Sequence, residues 1–475
     1  MNNEMLLPLI AYLLFVFGVA FYAYRQRQGN SFLSEYYVGS RSMSGFVLAM
    51  TTAATYVGAS SFIGGPGAAY KYGLGWVLLA MIQVPAVLLG LGALGKKFAL
   101  LARKYNAVTI NDMLLARYNN KLVVWLSSLA LLLSFFAMMS VQFIGAGRLL
   151  EITLGIPYQT AIIIFAVTVG IYTFIGGFRA IVLTDTIQGV MMLLGTSLLL
   201  GGVIYAAGGI ENAMNTLANI NPQLIEPYGI DEHPLDFTFM TSFWVLVCFG
   251  LVGLPSLVVR SMAYKDSASL HKALVIGTLV VSLLMFGMHL AGVLGRAVIT
   301  DLTIPDQVIP TLMLQTLPPV VAGIFLAAPM AAIMSSIDSL LIQSSSTLIK
   351  DLYLAIKPDA INNEKKLTYF STITTLTFSV LLVFAALNPP DMLIWLKLLS
   401  LGGLEATFLW VIVLGLYWDK ANALGAISSM AAGLCSYMIM ATFKISIFSF
   451  HAIVPSLIIS LVAFLIGNRF GKQAS

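Results

Sequence analysis

The sequence predicts an all-α polytopic membrane protein of about thirteen helices, and three observations carry that prediction. Of the 475 residues, 59% are apolar and only 9% are charged, with a mean hydropathy of +0.92; a soluble domain carries about 25% charged residues. Apolar runs of roughly 20 residues recur from end to end, each long enough to cross a hydrocarbon core of about 30 Å. The longest connections between them are about 25–30 residues, too short to fold alone as a catalytic or signalling module.

The runs follow one another in a regular order. The first, 6–24, has no basic stretch before it and no small-residue cleavage site after it, so it reads as a retained helix rather than a signal peptide. Next come 43–70, 75–95, 122–147, 158–175 and 181–207, then 238–259, 272–295, 320–343, 367–387 and 392–417, and finally 424–442 and 453–468. Basic residues set the orientation. With the N-terminus outside and the C-terminus inside, all but Lys71, Arg148, Arg296, Lys397 and Lys444 of the 25 Lys and Arg fall on the cytoplasmic side, Arg25, Arg27, Arg41, Lys365 and Lys366 among them. The longest outer loop, 208–237, has five acids and no Lys or Arg. The net charge of +5 therefore reflects basic loops facing anionic lipid headgroups, not nucleic-acid binding. Cys248 and Cys435 both lie in apolar runs, which implies neither a disulfide framework nor a thiolate metal site.

Two spans are not ordinary membrane helices. VGASSFIGGPGAAYKYG (57–73) places Gly58, Gly64, Gly65, Pro66 and Gly67 with Ser60 and Ser61 inside the second run. Small residues in membrane helices usually serve close packing, but this density weakens the helix itself, and Pro66 removes a donor. Backbone groups freed there cannot face lipid, so they line an enclosed cavity. A second interruption, FWVLVCFGLVGLPSLVVR (243–260), sets Gly250, Gly253 and Pro255 in the other half of the chain. Paired broken spans in the two halves mark ion and substrate sites in secondary transporters built as inverted repeats.

Polar groups gather in one further span. In APMAAIMSSIDSLLIQSSST (328–347), hydroxyls at Ser335 and Ser336 and a free carbonyl at Ala332 would present three neutral oxygens from one face. Sodium, a hard cation, prefers such ligands; the alternative is that the serines bond back to their own helix. Asp185, Asp338 and Glu405 lie within predicted spans, where an ionisable residue is expensive and points to function. Asp338 follows Ser335 by three residues. Asp185, near the start of its span, reads equally as a cap or gate contact at the cytoplasmic surface, and Glu405 as an ion-pair partner. With no HExxH, nucleophile elbow or cysteine cluster, no enzyme is expected.

With these residues in view, the chain resembles the sodium:solute symporter family, which has the leucine-transporter type of five-plus-five inverted repeat. FIGGPGAAYKYG, GGFRAIVLTDTIQ, AAIMSSIDS followed by STLIKDLY, and VLGLYWDKANALGA carry the likeness, which extends over nearly the whole chain. The resemblance implies a single transporter domain: an extra N-terminal helix (6–24), a first repeat (43–207), a second repeat (238–417) and two C-terminal helices (424–470). It implies a sodium ion held by the carbonyls of Ala54, Val57 and Ala332 and the hydroxyls of Ser335 and Ser336. A second cation, or a gate, is implied near Asp185, Asp338 and Ser339. The substrate is implied among Tyr56, Ser60, Ser61, Gln83 and Gln142, with Trp244, Phe249, Gly250 and Gly253 from the second broken span. Lys397 or a half-helix N-terminus would face a substrate carboxylate.

Within the family the likeness is strongest to bacterial members that carry pantothenate. The expected activity is therefore sodium-coupled import of pantothenate across the bacterial inner membrane by alternating access. The expected partners are sodium, that solute and membrane lipid, with no nucleic acid and no obligate protein partner. Competing readings are symport of another small carboxylate (proline or a monocarboxylate) and a sensor or channel derived from the same fold.

Overall fold

A computed structural model describes residues 3–25, 43–230, 235–390 and 392–471, and for 3–6, 20, 23–24, 171–180, 258, 361–362 and 364–365 it describes the backbone alone. Arg27, Arg41, Asp231, Glu232 and the side chains of Lys365 and of 176–180 lie outside the described residues.

Among the described residues the chain is almost wholly helical and has no strand. Nine helices there are long and apolar enough to cross a membrane, or up to eleven when each of two bent pairs is taken as one span. That is fewer than the thirteen expected; the first and fifth expected spans are represented by shorter apolar stretches, Leu7–Val19 and Tyr158–Gly170. The gap expected near 176–180 does not interrupt the backbone, because a single helix runs Tyr158–Ala206. Two adjacent glycines lower helix propensity by about 1 kcal/mol each, but a backbone in an apolar environment has no water to turn to and keeps its ladder.

Helix starts follow local chemistry. Asn120, Asp236, Asp266 and Asn422 each accept a backbone N–H from the first turn of the helix that follows, satisfying a donor that has no partner within the helix. At Asp266, which is exposed, the backbone bond from Ser269 holds the carboxyl below the usual carboxylate range. Gly73 ends the first broken span at φ 82°, a conformation that needs no side chain.

The helices pack as a bundle around Pro319–Ile356. The most apolar stretch of that helix is 83% buried, against 28% for the peripheral Lys366–Ala386. The Asn3–Arg25, Lys121–Leu154 and Tyr158–Ala206 helices surround it. Ser267–Gly295 lies along both halves of the first broken span, and Leu393–Tyr417 lies against the second broken span and Lys121–Leu154. Ala423–Thr442 and Ile453–Phe470 form a hairpin at the edge. The two interrupted spans therefore sit inside protein, where their unpaired backbone groups find partners.

Candidate functional site

The first broken span is made of Gly45–Tyr56 and Ser60–Tyr72, inclined by 66°. The chain turns at Val57, whose φ of −90° and ψ of 107° are extended. Val57 N–H still closes on Ala53 O at 2.8 Å, and there the helical ladder stops. The exposed carbonyls take hydroxyls from the neighbouring helix instead: Ser335 Oγ donates to Ala54 O at 2.7 Å, and Ser336 Oγ to Thr55 O at 3.4 Å. Gln142 serves the other half of the break, its Oε1 accepting Ala59 N–H at 2.7 Å. Gly58 is fixed by close approach, because a Cβ there would lie 2.7 Å from Ser336 Oγ and 2.8 Å from the Gln142 amide.

The break is shorter than the sequence implied. Pro66 was expected to hold it open, but lies inside the second half. A wide turn over Ser60–Gly64, in which Gly65 N–H reaches back to Ser60 O, makes room for the ring without ending the helix.

Three of the five expected sodium ligands come together. Ser335 Oγ also lies 3.1 Å from Ala332 O, so Ala54, Ala332 and Ser335 form one cluster of oxygens. Val57 and Ser336 are also buried, with Ser336 Oγ on Thr55 O instead. The arrangement consists of neutral oxygens from two helices, one of them broken, and suits a small hard cation without a fixed carboxylate charge.

One turn along the same helix is a buried network that the sequence reading missed. Arg260, near the end of the second broken span, donates through Nη1 to Thr51 Oγ1 at 2.8 Å and through Nη2 to Ser339 Oγ at 2.6 Å. Nη2 also lies 3.4 Å from Asp185 Oδ2, which accepts from Thr51 Oγ1 at 2.6 Å. Ser339 Oγ is 3.2 Å from Thr55 Oγ1. Asp185 is thus not at the surface but fully buried, and a guanidinium joins it to Ser339. Asp338, the third residue expected there, is buried one position before Ser339. A small, mostly apolar cavity of about 30 Å³ adjoins Arg260 and Ser339, with Thr109, Gln343, Ser346 and Thr347 also in its lining. The signal available in the sequence was Pro255, which restarts the helix only five residues before Arg260 and so holds that side chain at membrane depth.

On the other side of the break lies a cavity of about 50 Å³. Tyr56, Ser60, Ser61, Gln83 and Lys397 line it with His289, as do the apolar Trp76, Met138, Phe243 and Leu401. Tyr56 Oη donates to Gln83 Oε1 at 2.8 Å. Lys397 makes no ion pair within 4 Å among the described residues; the buried Glu405 carboxyl on the same helix is near enough to interact with its charge, and the Lys397 side chain lines this cavity. Ligand sites typically hold about 300–1,000 Å³, so this cavity is nearly closed in the conformation described.

Other expected contacts are elsewhere. The second broken span joins Phe237–Gly253 to Pro255–Ser261 at 45°, with Leu254 extended between them. A wide turn over Val245–Phe249 rotates the helical face there. Trp244 and Phe249 consequently point outward, 41% and 54% exposed, and pack on each other at 6.1 Å. Phe243, Val247 and Leu254 take the places expected of them at the cavity. Gly250 lies against the Glu405 carboxyl and Gly253 against the Leu409 backbone, both as close packing positions. Gln142 is absorbed by the break itself.

The cavity is roofed by aromatic rings. Trp76 packs on Tyr72 at 5.6 Å, on Phe243 at 5.6 Å and on Trp395 at 5.9 Å, and Phe239 covers Phe243 at 5.5 Å. Trp76 and Phe243 face the cavity, while Tyr72, Phe239 and Trp395 face an open vestibule above it.

Comparison with known proteins agrees with this geometry. The family model for the sodium:solute symporter family matches residues 36–433. The sodium/pantothenate symporter of Haemophilus influenzae is 67% identical over 100% of this chain and 98% of its own length. That of Escherichia coli is 62% identical over the same shares. A sodium/proline symporter of Staphylococcus aureus is 27% identical over 99% of this chain and 94% of its own length. Among solved structures, a Na+-coupled sialic acid symporter in a substrate-bound outward-open state superposes with a TM-score of 0.83 at 18% identity, covering 100% of this chain and 99% of that one. A nucleobase-cation-symport-1 family transporter in a closed conformation gives 0.56 at 13% identity, covering 93% and 96%. The fold is of the leucine-transporter type, and the chain belongs to the sodium:solute symporter family.

Proposed function

We propose that the chain imports pantothenate with sodium across the bacterial inner membrane by alternating access, with its N-terminus outside and its C-terminus in the cytoplasm. The observation that carries this reading is the pairing, on one broken span, of a neutral-oxygen cluster with a polar cavity, in a chain more than 60% identical throughout to two sodium/pantothenate symporters. Within the single transporter domain, 43–207 and 238–417 act as the two inverted repeats, flanked by 6–24 and 424–470.

Sodium is held by the Ala54, Val57 and Ala332 carbonyls and the Ser335 and Ser336 hydroxyls. It thereby ties the first broken span to the Pro319–Ile356 helix and stabilises one setting of the 66° break. Pantothenate carries a carboxylate, an amide, two hydroxyls and a gem-dimethyl group. Lys397 faces the carboxylate; Ser60, Ser61, Tyr56 and Gln83 supply donors and acceptors for the amide and hydroxyls; Trp76 and Phe243 cover the methyls. Arg260, Asp185, Thr51 and Ser339 close the inner side, since they tie both broken spans to the bundle.

A tenfold sodium gradient supplies about 1.4 kcal/mol, and 100 mV supplies about 2.3 kcal/mol per net charge moved. One sodium with one pantothenate anion moves no net charge. The test is uptake of labelled pantothenate into proteoliposomes under an imposed sodium gradient, with and without a potassium-diffusion potential. Saturable, sodium-driven accumulation is expected, and its response to the potential reports whether a second cation travels. Accumulation that ignores sodium, or that excess proline abolishes and excess pantothenate does not, would reject this reading.

A further inference from the structure

Glu405 lies on the Leu393–Tyr417 helix, one turn beyond Leu401, the last residue of that helix to line the cavity. It is 0% exposed, and neither carboxyl oxygen has a hydrogen-bond partner among the described residues. The carboxyl lies against Gly250 of the second broken span, where a Cβ would collide with it. Gly250 gives it no donor, because its N–H closes on Val245 O. Two phenols come near, but their protons are committed: Tyr56 Oη donates to Gln83 Oε1 at 2.8 Å and Tyr437 Oη to Leu398 O at 3.2 Å. A carboxyl without partners in an apolar interior is costly, and inside a membrane span it points to function.

The cation within its electrostatic reach is Lys397, eight positions earlier on the same helix. Eight residues are about 12 Å of helical rise, and the two side chains make no ion pair within 4 Å. They interact through protein of low polarity, where charge is felt over such distances. Arg260 and Asp185, on the other side of the break, pair with each other. Tyr56 links the two sites. It lines the cavity with Lys397, Glu405 is within electrostatic reach of it, and Ala54 and Val57, whose carbonyls are proposed for sodium, flank it in the chain.

We propose that Glu405 couples solute to sodium by charge balance: it is the resident counterion of Lys397 in the empty carrier, and sodium takes over that task when a solute carboxylate engages Lys397. With nothing bound, the ammonium and the carboxylate offset one another. The solute alone would leave one excess negative charge around the cavity, and sodium alone one excess positive charge. Either is unfavourable to enclose in a site shut off from water. With both bound the balance returns, so the carrier closes fully loaded or empty. Each ligand thereby strengthens the other, and by the same factor. A solute without a carboxylate lacks this part of the coupling.

The coupling rests on the sodium site and the carboxylate substrate proposed above. The test measures the dissociation constant of pantothenate for the purified protein in saturating sodium and with choline in its place. It compares the unaltered chain with Glu405→Gln and Glu405→Asp. For the unaltered chain it is repeated with the uncharged analogue whose carboxylate is replaced by a hydroxymethyl group. There, sodium should tighten pantothenate at least about tenfold more than it tightens the analogue. Glu405→Gln should bind pantothenate more tightly than the unaltered chain when sodium is absent, and sodium should then add about threefold or less. Glu405→Asp should restore the larger factor. An equal sodium effect on pantothenate and the analogue overturns the coupling, and this comparison needs no variant to fold. So does an unchanged sodium factor in Glu405→Gln, which is what a packing role would give. If the unaltered chain binds no pantothenate in sodium, the substrate reading fails and the coupling falls with it; if it does and Glu405→Gln keeps the same sodium factor, the coupling alone is rejected.

Discussion

Arg260 and Asp185 lie 75 positions apart in the chain and 3.4 Å apart in the fold, with side chains 3% and 0% exposed. Between them they engage Thr51 and Ser339, so one ion pair joins both broken spans, the Tyr158–Ala206 helix and the Pro319–Ile356 helix. A contact common to so many elements is placed to couple the two broken spans to the surrounding bundle.

Breaking this pair by one partner leaves an uncompensated charge in an apolar interior, at a cost of about 3–5 kcal/mol. Arg260→Gln and Asp185→Asn should each lower the unfolding temperature in detergent and abolish most uptake. The double variant removes both charges and should recover much of the stability but not tight closure, seen as sodium-dependent efflux faster than in the unaltered chain. Strictly additive losses in the double variant would mean that the two residues are not coupled.

The oxygen cluster makes a separate prediction. Ser335→Ala or Ser336→Ala removes one of the roughly five ligands proposed for sodium, each worth about 1–3 kcal/mol if a hydrogen-bond-like loss is taken as the guide. The sodium concentration for half-maximal uptake should rise about tenfold or more, while Vmax at saturating sodium changes little. An unaltered sodium dependence in both variants would remove these hydroxyls from the ion site.

Gly58 tests the break itself. A β-branched side chain there meets Ser336 Oγ and the Gln142 amide at under 3 Å, so the turn and the neighbouring helix can no longer approach as they do. Gly58→Val should remain folded and monodisperse yet lose sodium-driven uptake, because the bundle can relax outward only by opening the ion cluster. Normal uptake by this variant would show that the hinge lies elsewhere.

Lys397 is the cation facing the cavity. Lys397→Gln should weaken pantothenate far more than the uncharged hydroxymethyl analogue, by about tenfold or more in competition, since a hydrogen bond to a charged group is worth about 1.5–3 kcal/mol. Equal weakening of both ligands would make the side chain a packing element.

How much of this was legible beforehand differs by level. The apolar runs and both interruptions were readable because lipid imposes length and polarity on every span. The meeting of oxygens at Ala332 and Ser335 was readable because these residues share a face at helical spacing. Trp244 and Phe249 were misplaced because a wide turn changes the residue count per turn, and nothing in FWVLVCFG announces one. Arg260 was missed because a half-helix restarted at Pro255 was read as the end of a full span, which put its guanidinium in a loop. Pro66 misled in the opposite direction, since a wide turn absorbed the ring that should have extended the break. The 176–180 gap was a break in composition only.

The aromatic roof gives the last prediction. Trp395 touches Tyr72 at 6.5 Å, Trp76 at 5.9 Å and Phe239 at 6.5 Å, so one ring closes the roof against three others. Its neighbours belong to the first broken span, the helix after it and the second broken span, and cannot all move inward to refill the gap that Trp395→Ala would leave. The variant should therefore connect vestibule and cavity without unfolding the bundle. In a chain with Cys248 and Cys435 replaced by alanine, a cysteine at Ser61 reports on the cavity. A membrane-impermeant thiol reagent added on the vestibule side should label it slowly when Trp395 is present and at least about tenfold faster when Trp395 is alanine, a change that about 1.4 kcal/mol of lost closure would produce. Equal labelling rates would show that the roof is not the barrier, and the closure above Ser61 would then have to be sought in the swing of the Ser60–Tyr72 half-helix.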